Sequence, residues 1–82
     1  MPTHFADFPN ITVDPNVLGG QPTIRGMRIS VRRVLEALAR RPNWEDFLAD
    51  YPDVTAEDVR QALGFAASMA DGRVVPIERQ TA

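Results

Sequence analysis

Eighty-two residues, no cysteine and a net charge of −2 define one small domain with a thin core, because a chain this short buries roughly 60% of the surface its unfolded form exposes. Disulfides are excluded. The lone His4 and scattered carboxylates make no structural metal site, so no metal or other cofactor is expected, and self-association into a homodimer or a partner protein is the expected source of extra stability.

From the N-terminus, Met1 to Val13 mixes apolar and turn residues, with only Ile11-Thr12-Val13 of strand composition and His4 in a stretch expected to be unstructured. Asp14-Pro15-Asn16 reads as a turn. Gly19-Gly20-Gln21-Pro22 reads as a loop whose paired glycines admit backbone angles closed to other residues. Thr23-Ile24 and Met27-Arg28-Ile29 flank Arg25-Gly26, which predicts two very short strands around a tight turn. Such a hairpin does not stand alone in water, so it must lie on the helices or pair with another chain.

Ser30 is placed to cap a first helix, with Val31, Val34, Leu35 and Leu38 on one stripe, Arg32, Arg33, Glu36 and Arg40 opposite, and Pro42 as the stop. Asn43 caps a second, short helix, in which Trp44, Phe47, Leu48 and Tyr51 repeat the same spacing before Pro52. Thr55 and Asp58 resemble a capping box opening a third helix. Its predicted apolar stripe is Val59, Ala62, Leu63, Ala66 and Ala70, and Asp71-Gly72 ends it. The predicted architecture is mainly α: a three-helix, helix-turn-helix domain over residues 1–72 with a short N-terminal β arm, and an extended tail over 73–82. No apolar run is long enough to cross a bilayer and no signal-peptide pattern opens the chain, so a cytoplasmic protein without membrane contact is expected.

Charge is divided along the chain. Residues 25–41 carry six arginines against Glu36, and residues 43–58 carry six carboxylates and no base. A basic half suits phosphate or an acidic partner. The candidate DNA-binding residues are Arg25, Arg28, Arg32 and Arg33, on the hairpin and the start of helix one, with Arg60 and Gln61 on the expected outward face of helix three. Each has a plainer reading: surface arginines solvate a helix and form pairs such as Glu36 with Arg40, and Glu57 and Asp58 at the start of helix three would repel phosphate while suiting the helix dipole. Gly64, inside a helix at a cost of about 1 kcal/mol, implies a close neighbour. Val74, Val75 and Ile77 in the tail are candidate partner-binding residues, suited to adding a strand to a partner's sheet or folding back on the helices. No nucleophile, general base or phosphate loop is evident, so no enzyme activity is expected.

The stretch Ile11-Thr12-Val13-Asp14-Pro15, then Gly19-Gly20-Gln21-Pro22-Thr23-Ile24-Arg25-Gly26-Met27-Arg28-Ile29, resembles the domain of unknown function 433 family. The resemblance continues through Tyr51-Pro52 and Thr55-Ala56-Glu57-Asp58-Val59 to Ala66-Ala67. Met27 stands where that family usually has threonine, and Asn43-Trp44 replaces a glycine-containing approach to the second helix. The resemblance implies a homeodomain-like helix-turn-helix fold and an antitoxin that binds a PIN-like toxin and represses its own operator DNA. The alternative is a dimerising protein-interaction module with no DNA role.

Overall fold

Antiparallel strands take up more of the N-terminus than its composition predicts. The computed structural model describes residues 3–70 and places β1 (Thr3–Phe5), β2 (Phe8–Val13) and β3 (Thr23–Ile24) in one sheet, ordered β1-β2-β3. The segment holding His4, expected to be unstructured, is thus β1, with the His4 backbone opposite Thr12. Pro9 hides β2 from a sequence reading, since proline argues against a strand. β3 pairs only with Ile11 and Thr12, so Pro9 lies beyond that ladder.

The Arg25-Gly26 turn forms, with both residues at positive φ and the Met27 N–H donating to the Ile24 carbonyl at 2.8 Å. This is the pattern of a type I′ hairpin turn. The expected second strand, Met27–Ile29, does not form. What returns is a single bridge between Thr23 and Ser30, flanked by hydrogen bonds from Ile24 N–H to the Ile29 carbonyl and from Val31 N–H to the Pro22 carbonyl. The partner that so short a strand requires is β2, on its other edge and in the same chain.

Three helices follow, each begun by the residue that the sequence nominates: α1 (Val31–Arg40), α2 (Trp44–Asp50) and α3 (Ala56–Met69). Ser30 Oγ accepts from the Arg33 amide at 2.9 Å, Asn43 Oδ1 from Asp46 at 3.0 Å, and Thr55 Oγ1 from Asp58 at 3.1 Å. Each cap satisfies an amide that the helix start leaves without a partner. Val31 and Val34 are buried and Leu35 and Leu38 half-buried, as their spacing predicts.

The stripe of α3 is displaced. Leu63 is 54% exposed, whereas Phe65, outside the predicted stripe, is buried with Asp58, Val59, Gln61 and Ala62. The reason is that α3 packs on two sides, against α1 and against β2, so its buried face turns toward the sheet. Phe65 meets the ring of Phe8 edge-on at 6.0 Å and that of Phe5 at 4.8 Å. Gly64 then has a clear cause: a Cβ there would stand 2.8 Å from Phe8 Cε1. Ile11 and Ile24 from the sheet, Val34, Phe47 and Val54 complete the centre of the core.

Candidate functional site

Asp58 is the third residue of α3 and completes the Thr55 capping box, yet its carboxylate is also the hub of a tertiary network. Its side chain is fully buried. Oδ2 accepts from the Thr55 amide at 2.9 Å and from Arg25 Nη2 at 2.8 Å, and Oδ1 accepts from Asn10 Nδ2 at 2.8 Å and from Arg25 Nε at 3.0 Å. Burial pushes the Asp58 carboxyl up, but the hydrogen bonds from Arg25, the Thr55 amide and Asn10 outweigh it, and the net direction is down. The same hydrogen bonding raises Arg25 above its ordinary value. Arg25 reaches this position because its backbone sits in the left-handed turn, at φ 48°, where its own amide donates to the Asn10 carbonyl.

Gln61 extends the network. It is 6% exposed, contrary to its expected outward placement, with Oε1 accepting from the Asn10 amide at 2.7 Å and Nε2 donating to Glu57 at 2.7 Å. Arg60 is exposed and grips Glu57 through Nε at 2.8 Å and Nη2. Together with the Gln61 amide, Arg60 draws the Glu57 carboxyl down to about 2. Of the six nominated DNA-binding side chains, Arg25 and Gln61 are thus tied into the tertiary network, and Arg60 is paired with its helix neighbour Glu57. No sequence pattern joins positions 10, 25 and 58, which is why this network was not predicted.

Arg28, Arg32 and Arg33 are exposed. Arg32 pairs with Glu36 at 3.1 Å, the i, i+4 pair that takes Glu36 in place of the expected one with Arg40. Arg33 lies by Tyr51, whose hydroxyl raises the guanidinium above its ordinary value. The division of charge along the chain is partly closed in space, since Arg25–Asp58 and Arg41–Asp46 each join the basic stretch to the acidic one. Among the described residues no group of three metal-ligating side chains converges, and no helix is long and apolar enough to cross a membrane. Val74, Val75 and Ile77 lie outside the described residues.

An apolar groove of about 450 Å³ lies between α1 and the last turns of α3. Leu35, Phe65, Ala66 and Met69 line it, with Gln21, Arg32 and Glu36 at the polar edges. Met69, at 54% exposure, overhangs one end. A floor of this kind buries aliphatic side chains and has few groups to orient a polar substrate, so it suits a protein segment better than a reactive small molecule.

A small sheet laid on three helices, with an arginine clasping a buried aspartate at the start of the third, defines a small α+β domain. The chain belongs to the family described as protein of unknown function (DUF433), whose model matches residues 11–66, from within β2 to the last turns of α3. It is 36% identical over 56 residues to the uncharacterized protein y4eO of Sinorhizobium fredii, a match covering 68% of this chain and 25% of that protein. It also resembles the crystal structure of a DUF433 member from Anabaena variabilis, with a TM-score of 0.68, 32% identity, and coverage of 76% of this chain and 61% of the other. The chain thus spans a quarter of the first relative's length and under two thirds of the second's.

Proposed function

We propose that this protein is a non-catalytic binding module of the antitoxin kind, which neutralises a small PIN-like toxin by docking it in the apolar groove between α1 and α3. The groove is the observation that carries the reading. Its aliphatic floor and the exposure of Met69 present apolar surface that a partner would remove from water. The family resemblance supplies the toxin as the partner, and a homodimer in the cytoplasm is the form expected to meet it.

Operator DNA is the second ligand in this reading. The α2–α3 pair, joined through residues 51–55, serves in this reading as the helix-turn-helix that the family resemblance implies. Arg28, Arg32 and Arg33 are exposed where α1 begins, with no carboxylate in its first turn to repel phosphate. Co-expression with a candidate PIN-like toxin tests the main proposal. Relief of growth arrest and a stable complex on size exclusion are expected, and Met69→Glu should weaken both. A complex that forms equally well with Met69→Glu and with Leu35→Glu would place the docking surface elsewhere.

A further inference from the structure

The exposed side of α1 is its own complement. Arg32, Leu35, Glu36 and Ala39 follow one another at i, i+3, i+4 and i+7, so they share one stripe, and that stripe borders the groove toward Ala66 and Met69 of α3. The Arg32 and Glu36 side chains are 77% and 50% exposed, Ala39 is exposed, and Leu35 is half-buried. We propose that two copies of this chain pair through this stripe, α1 against α1 in antiparallel order, with each groove receiving the helix of the other copy. The pairing supplies the homodimer that the antitoxin reading expects; it needs no toxin, and only the exchange of one copy for a toxin rests on that reading.

Charge decides the orientation. In a parallel pair Arg32 would face Arg32 and Glu36 would face Glu36, and like charges set against each other across an interface repel. In an antiparallel pair whose two-fold axis crosses α1 at the level of Val34, Arg32 of each copy stands opposite Glu36 of the other. The ion pair that Arg32 makes with its own Glu36 at 3.1 Å then becomes half of a ring of four alternating charges. The two Leu35 side chains sit one residue beyond the axis, so their levels differ by about 3 Å, close enough for contact. Apolar surface supplies the affinity, since Leu35, Ala66 and Met69, the last 54% exposed, leave water together. Ala39 and Ala66 carry no bulk beyond Cβ, which permits the helix axes to approach to about 8 Å. Arg33, about 100° further round α1, stays outside the stripe. A different partner would have to mirror this order of charges, whereas a second copy does so by symmetry.

Sedimentation equilibrium of the full-length chain and its charge variants tests the pairing. The unaltered chain should be dimeric at about 100 μM, a concentration above the dissociation constant of an ordinary dimer. Arg32→Glu makes the stripe wholly acidic and Glu36→Arg makes it wholly basic, so each should self-associate about tenfold more weakly or worse while keeping its helicity and thermal midpoint. Mixed in equal amounts, the two variants should re-form a dimer holding one copy of each. The double variant, Arg32→Glu with Glu36→Arg, restores the order in reverse and should dimerise like the unaltered chain. A monomeric unaltered chain overturns the proposal, and so does a dimer that neither single variant weakens, which would place the interface elsewhere. A mixture of the two folded variants that stays monomeric also overturns it. Because no toxin is present, failure here leaves the docking of a toxin untouched, and a toxin that ignores Met69→Glu leaves the pairing of copies intact.

Discussion

Arg25 and Asp58 differ in what surrounds them: the arginine side chain is 42% exposed and the aspartate fully buried. Removing the arginine therefore leaves an uncompensated buried carboxylate, the costlier half of the pair to orphan, and breaking such a pair costs about 3–5 kcal/mol. Arg25→Ala is expected at the lower end, about 3 kcal/mol, as a shift in the urea midpoint. The Asp58 and Glu57 carboxyls are both lowered in the folded state. Their stabilisation is present above the unfolded carboxylate values near 4 and is lost as pH falls through the folded ones. Urea midpoints should thus fall between about pH 5 and pH 2, with Asp58→Asn flattening that slope; an unchanged slope would remove Asp58 from the acid response. At this scale the caps were legible and the clasp was not. Ser30, Asn43 and Thr55 act on amides three residues ahead, a local rule, whereas Asn10, Arg25 and Asp58 meet only once the turn and sheet have placed them.

Between elements, the contact of β2 with α3 decides most of what the sequence concealed. Periodicity located all three helices, but it cannot say that one helix is covered twice, and so Leu63 and Phe65 exchanged their expected places. Gly64 measures how close that contact is. Alanine would add about 1 kcal/mol of helix propensity, while its Cβ would press on Phe8 and the aromatic group around Phe65. Overpacking of this kind costs about 1–3 kcal/mol. Gly64→Ala is therefore expected to lower stability by about 1 kcal/mol, and Gly64→Ala with Phe8→Leu to recover it; a stabilised single variant would show that the strand yields readily.

Across the whole molecule, the segregated charges are moderated by the two ion pairs that join the basic and acidic stretches, which weakens any broad basic face. DNA affinity, if present, should then depend on few phosphates. A shallow fall of affinity with salt is expected in gel-shift titrations, and Arg28→Ala with Arg33→Ala should reduce the slope further. Loss of binding on Arg60→Ala alone would instead point to α3. The hydrogen bonds that tie the N-terminal strand to the turn and to α3 also bear on how the molecule opens. The amide of Arg25 is held by Asn10, and that of Asn10 by Gln61, across 15 and 51 residues of chain. Each of these amides is therefore released only when the strand parts from the turn or from α3. Both should exchange hydrogen more slowly than amides at the exposed helix ends, and fast exchange at either would show that this slender arm opens independently of the helices.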